Sequence, residues 1–100
     1  MSPFEALAEP NRRRLLDLLR AGERPAGELV AAMDLSQPGV SKHLKALREA
    51  GLVSVRADGQ QRIYRLEARR LADLDAWLKP YRHFWADHLD ALEGHLERDQ

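Results

Sequence analysis

The stretch from Ser36 to Val53, SQPGVSKHLKALREAGLV, constrains the fold more than any other, because its local signals agree on one helix with two unlike faces. Ser36 is an N-cap residue, Pro38 falls in the first turn where a missing N–H is harmless, and Gly51 stands just past the end, where a left-handed residue is favoured. Val40, Leu44 and Leu47 are spaced by four and three and form one apolar stripe directed at a core. The other face holds Gln37, Gly39, Ser41, Lys42, His43, Lys45 and Arg48. It offers hydrogen-bond donors and positive charge, has no carboxylate before Glu49, and is small near its start. An ordinary solvated helix shares the stripe. A helix laid in the major groove of a duplex also needs such a polar face, with side chains that reach base edges and cations that hold phosphates.

The segments on either side give this helix a setting. The chain opens with Phe4, Ala6, Leu7 and Ala8, enough for one or two helical turns. Pro10 begins a second helix, in which Leu15, Leu16, Leu18 and Leu19 have helical spacing, Arg12, Arg13 and Arg14 read as a solvated face, and Gly22 is the stop. Pro25 starts a third helix with Leu29, Val30 and Met33 toward the core. Asp34 and Leu35 then lead tightly into Ser36, with Leu35 as a core plug. A short helix, a tight turn and a second helix with a polar face make a helix-turn-helix. After Gly51 the pattern changes to period two. Leu52, Val53 and Val55 precede Asp58-Gly59, a strong hairpin signal, and Ile63, Tyr64 and Leu66 follow, which predicts a two-stranded wing. Its tip and flanks hold Arg56, Gln60, Gln61, Arg62 and Arg65, from which an arginine can reach a phosphate or an adjacent minor groove. Tyr64 reads as a packing residue.

From Ala68 to Glu97 the pattern is helical, interrupted by Pro80. Leu71, Leu74, Leu78, Tyr81 and Trp85 keep a heptad spacing; the stripe then steps by four to Leu89 and continues to Leu92 and Leu96, so its face shifts by about one residue. Trp77 and Phe84 lie beside it. A domain this small needs no helix of such length for its own core, and a stripe rich in Trp and Leu on a terminal helix suits a homodimer interface, while packing against the first helix is the competing use. The expected interface positions on this helix are Leu74, Leu78, Tyr81, Trp85, Leu89 and Leu92.

One hundred residues make one domain with a modest core. Residues 1–67 are expected to form the DNA-binding core and residues 68–100 a dimerisation segment of the same domain. The absence of cysteine excludes disulfides, thiolate metal sites and a cysteine nucleophile. Apolar runs are only a few residues long and no leader pattern opens the chain, so a cytoplasmic protein without a membrane partner is expected. The net charge of zero hides an asymmetry. Residues 36–66 hold six Lys and Arg against two Asp and Glu, whereas residues 67–100 hold five against eight. A basic patch can meet DNA while the acidic tail faces away.

With these elements in this order, the chain resembles the ArsR-type winged-helix transcriptional repressors of bacteria. The resemblance spans residues 4 to about 66, through LAEPNRRRLLDLL, GELVAAMDLSQPGVSKHLKALREAGLV and VRADGQQRIYRLE. The pattern SxPxVSxHLxxLxxAGLV is its most specific part. It implies a mainly α fold with a small β-hairpin wing, an obligate dimer, and recognition helices in successive major grooves. First and last helices would pair across the two-fold axis, adding Phe4 and Leu7 to the interface. Gln37, Ser41, Lys42 and His43 would face bases or phosphates, and Arg56 and Arg62 would be wing contacts. Together with Ser36, Lys45, Arg48 and Gln61 these make up the expected DNA-binding set. Gly39 stands where Ala is common in the family, at a cost of ~1 kcal/mol in helix propensity.

Departures from the family pattern bear on regulation. Metal-sensing members similar to this chain place cysteines on the helix around residues 28–33, where GELVAAMDL has none. A second kind of site uses Asp and His pairs on the last helix. His83 with Asp87 and His95 with Asp99 have part of that spacing and suit zinc or nickel, but Tyr81 stands where the family has Asp. No metal and no cofactor is therefore expected, and the tail resembles the aromatic-tailed branch of the family, whose effector is open. No Ser-His-acid constellation or phosphate loop is visible, so the chain is not expected to be an enzyme. The expectation is a homodimeric repressor occupying a promoter at an inverted repeat. The alternatives are a winged-helix module that binds protein instead of DNA, and a metal-responsive repressor using the last helix.

Overall fold

The computed structural model describes the backbone of residues 1–98 and the side chains of residues 1–89. Helix α1 spans Pro3–Leu7, α2 Pro10–Arg20, α3 Ala26–Ala32 and α4 Gln37–Glu49; strands β2, Val53–Asp58, and β3, Gln61–Leu66, follow, and a 3-10 turn at Ala68–Arg70 leads into α5, Leu71–Arg98. The expected hairpin forms in the register Asp58 opposite Gln61, with Gly59 at φ 63° in the tip. The wing has one strand more than expected. Arg24–Pro25 forms a two-residue β1 that pairs antiparallel with β3, giving the order β1-β3-β2. Two residues are too few to show a period, and Pro25 can pair only because β1 is an edge strand, where a missing N–H is tolerated.

The ends of α4 form as its sequence dictates. Ser36 Oγ accepts the Gly39 N–H at 3.2 Å. At the other end the Leu52 N–H donates to the Leu47 carbonyl at 2.9 Å and the Gly51 N–H to that of Arg48 at 3.0 Å, a six-to-one and five-to-two closure with Gly51 at φ 76°. A side chain at Gly51 would be strained by that φ and would also meet Arg70 Cγ at 3.1 Å. Between these caps, Val40, Leu44 and Leu47 are buried together with Leu15, Leu16 and Leu19 of α2, Leu29 of α3, Leu52, and Val53 and Tyr64 of the sheet. Leu35 packs at the edge of this core, and Tyr64 is a packing residue.

Two of the three consecutive arginines depart from the expected solvated face. Arg12 donates through Nε to the Ala6 carbonyl at 2.6 Å and through Nη2 to the Glu5 carbonyl at 3.1 Å, while Arg13 Nη1 donates to the Leu7 carbonyl at 2.7 Å. They cap the last carbonyls of α1, of which that of Glu5 also accepts the Ala8 N–H at 3.2 Å, while no backbone N–H donates to those of Ala6 and Leu7 among the described residues. α1 is thereby pinned to the start of α2.

α5 runs on through Pro80 as one helix. Arg82 Nη1 meets Asp75 Oδ1 at 2.9 Å, a bridge that spans the turn containing the proline. Leu71 packs against the core, and Leu74 and Leu78 are half-buried. Farther along, Tyr81, Phe84, Trp85 and Leu89 are exposed, with Phe84 at 79%. Among the described residues, no helix is long and apolar enough to cross a membrane.

Candidate nucleic-acid interface

The polar face of α4 divides by angle around the helix. Gln37, Ser41, Lys45 and Arg48 line a groove of about 520 Å³ whose other walls are Ala26, Gly27 and Val30 of α3 and Arg62 and Tyr64 of β3. Ser36 and Lys42 are exposed outside it, Ser36 as the cap and Lys42 opposite the apolar stripe. His43 lies on the far flank, its side chain 19% exposed and its Nε2 3.9 Å from Glu9 Oε2. It is turned toward α2 and away from the groove.

Pleating separates the wing residues. In β3, Arg62 and Tyr64 share the face that meets α4, whereas Gln61, Ile63 and Arg65 point to the opposite face. Arg56, opposite Ile63 in the ladder, belongs to that second face. Its Nη2 lies 2.6 Å from Glu23 Oε1 and its Nη1 4.0 Å from Asp58 Oδ2. Alongside, Arg65 Nη2 and Ser54 Oγ both reach Glu67 Oε1 at 2.8 Å. The Arg56 hydrogen bond holds the Glu23 carboxyl below its ordinary range, and Arg65, then Ser54, do the same for Glu67. Both carboxyls are therefore ionised at neutral pH, and the pairs weaken as they protonate in acid. Gln61 lines a shallow recess with Gln60, Pro25 and the start of α3.

Charge therefore sorts by face. Arg56 and Arg65 are neutralised by carboxylates, while Lys42, Lys45, Arg48 and Arg62 make no ion pair among the described residues. A cation without a carboxylate partner is available to a phosphate without first breaking a pair. Lys42→Ala and Arg62→Ala are each expected to flatten the dependence of log affinity on log salt by about one unit. Arg56→Ala should change it by clearly less, because Glu23 already holds that guanidinium. Titration of the three variants with duplex DNA at several salt concentrations checks this, and an equal change for Arg56 would show that it leaves Glu23 for the duplex.

A second surface lies on α1 and α5. Phe4 meets Trp77 edge to face with ring centroids 5.8 Å apart, and Trp77 meets Tyr81 at 4.9 Å. Leu7, Leu74 and Leu78 are half-buried, and Tyr81, Trp85 and Leu89 are exposed; Leu92 lies outside the described side chains. Trp77 belongs to the same patch although it lies beside the heptad stripe; its spacing of four from Tyr81 and eight from Trp85 is the available signal. His83 and Asp87 are exposed; His95 lies outside the described side chains and Asp99 outside the described residues. Among the described residues no three His, Cys, Asp or Glu are grouped to hold a metal ion.

Comparison with known proteins gives the family. Residues 9–55 match the model of the bacterial regulatory protein, arsR family. The chain is 36% identical over 75 residues to the transcriptional repressor SdpR of Bacillus subtilis, covering 75% of this chain and 83% of that one. It is 41% identical over 94 residues to the HTH-type transcriptional regulator Rv2034 of Mycobacterium tuberculosis, covering 94% and 82%. Among solved structures, a possible transcriptional regulator for arsenical resistance superposes with a TM-score of 0.74 at 44% identity, covering 92% of this chain and 93% of that one.

Proposed function

Because the chain belongs to the arsR family of bacterial regulatory proteins, a family of DNA-binding transcriptional regulators and not of enzymes, we propose that it is a homodimeric repressor that occupies a promoter at an inverted repeat. The observation that supports this most is the groove between α4 and β3, where Gln37 and Ser41 stand among the cations Lys45, Arg48 and Arg62, which have no carboxylate partner among the described residues. Cations position the helix on phosphates, and the amide and hydroxyl are the groups that read base edges. In this reading Ser36, Lys42 and Gln61 flank the contact, and residues 1–67 form the DNA-binding core. Residues 68–100 join two copies, with Phe4 and Leu7 alongside. The protein acts in the cytoplasm, where the DNA is.

Footprinting on a duplex selected from a random-sequence library tests the proposal. A two-fold dimer should protect an inverted repeat whose half-sites are centred about 10 bp apart, or a small multiple of that. Protection without dyad symmetry, produced by a single chain, would overturn it.

A further inference from the structure

His43 stands apart from the other polar residues of α4. Its ring is packed between α4 and the start of α2, and its Nδ1 is buried with no hydrogen-bond partner among the described residues. Its Nε2 faces the Glu9 carboxylate at 3.9 Å, beyond hydrogen-bond reach but within the range of an ion pair. Glu9 is no idle surface residue. It is the N-cap of α2, accepting the Arg12 N–H at 3.0 Å on Oε2 and Asn11 Nδ2 at 3.1 Å on Oε1. Desolvation pushes its carboxyl up, but the Arg12 amide, the charge of His43 and Asn11 together outweigh this and hold it below the ordinary value.

Other charged groups on the surrounding elements are committed elsewhere or exposed. Arg12 and Arg13 hold the carbonyls of α1, Glu5 caps Ser2, Glu28 of α3 pairs with Arg24, and Arg56 of β2 pairs with Glu23. Arg14, Asp17 and Arg20 of α2 and Lys42, Lys45 and Arg48 of α4 are exposed. Glu9 is thus the charge that His43 meets. A neutral imidazole can offer Nε2–H to the carboxylate and leave Nδ1 as an acceptor. Protonation turns the contact into an ion pair across the α2–α4 junction and adds an N–H at the buried Nδ1, which has no acceptor among the described residues, so the charge of His43 bears on how α4 sits against α2.

We propose that His43 and Glu9 form a positioning pair that sets how the recognition helix is held against α2, and so how well it meets DNA. The inference rests on the DNA-binding reading above. The test measures affinity for the selected duplex at about pH 6 and about pH 8 for wild type, His43→Gln, Glu9→Gln and the double variant. His83, His88 and His95 are present in all four, so their contribution cancels. Wild type should gain roughly threefold more affinity on acidification than either single variant, the size expected of one partly screened pair. The double variant should behave like the singles. Glu9→Gln is the decisive arm, because it keeps His43 and an oxygen to cap α2; it also stands alone if His43→Gln does not fold, which thermal unfolding at pH 8 detects. A wild-type pH response in Glu9→Gln would mean that histidine charge acts without the pair, and would overturn the proposal. A wild-type chain that selects no duplex would instead overturn the DNA-binding reading and remove the basis of this one.

Discussion

Replacing Leu89 with aspartate is expected to leave the protein monomeric at micromolar concentration with its winged core intact. Within one protomer Trp77, Tyr81, Phe84, Trp85 and Leu89 are all exposed on one side of α5, and Phe4 of α1 extends the same surface. An apolar patch of this kind is where a covering partner is expected, and a two-fold partner would present the same patch in return. Truncating a buried leucine costs about 2 to 5 kcal/mol, symmetry counts the loss twice, and a carboxylate in the seam adds a desolvation penalty. Trp85→Ala should act in the same direction. The half of the chain that carries the recognition helix does not use Leu89 for its core, so the helical signal of α1 to α4 should persist. Loss of the linked second half-site should then weaken operator binding by roughly 10² to 10⁴-fold. Sedimentation and DNA titration of the variants check both parts. A wild-type chain that sediments as a monomer would remove the seam; variants that stay dimeric but lose a response to an inducer would make the aromatic cluster a ligand pocket instead.

The second large effect lies in the recognition helix itself. Leu47→Ala is expected to destabilise the fold by about 2 to 5 kcal/mol, because Leu47 is fully buried and close-packed neighbours refill a cavity only in part. For a domain whose total stability is about 5 to 15 kcal/mol this is a large fraction. It should lower Tm by about 8 to 40 °C at four to eight degrees per kcal/mol. Lys42→Ala, one turn and a half away on the outer face, should change stability by less than about 0.5 kcal/mol. The contrast separates the two faces of α4: the inner one holds the fold, and the outer one is expected to be free of that role. Thermal unfolding of both variants decides it, and equal midpoints would mean that the stripe is not the core.

The two surfaces are linked by short steps through the structure. Phe4 rests on Trp77, α1 is held by Arg12 and Arg13 at the start of α2, Glu9 caps that start, and His43 of α4 faces Glu9. The contacts are contiguous, and the pH experiment on Glu9 and His43 tests the last of them.

Much of the fold was legible because its signals are local. An N-cap serine, a stripe spaced by three and four, a glycine one residue past the helix and an Asp-Gly between two period-two runs each act within one turn of chain, so α4 and the hairpin could be placed from residues 36–66 alone. The aromatic surface of α5 was legible for the same reason, since spacing along a helix determines which side chains share a face. What only the tertiary structure decided are the partners of charged side chains and the faces they occupy once elements meet. Arg56 finds Glu23 across 33 residues, and the pleat sends it to the opposite side of the sheet from Arg62. Arg12 and Arg13 are drawn to the open carbonyls of a short helix, and the two residues of β1 pair because β3 leaves them an edge. His43 had a signal in its spacing, three after Val40 and four before Leu47, but the edge of an apolar stripe can turn either way. The structure turns it toward α2, where the packing of α2 against α4 sets Glu9 beside it, a contact between segments that no local rule connects.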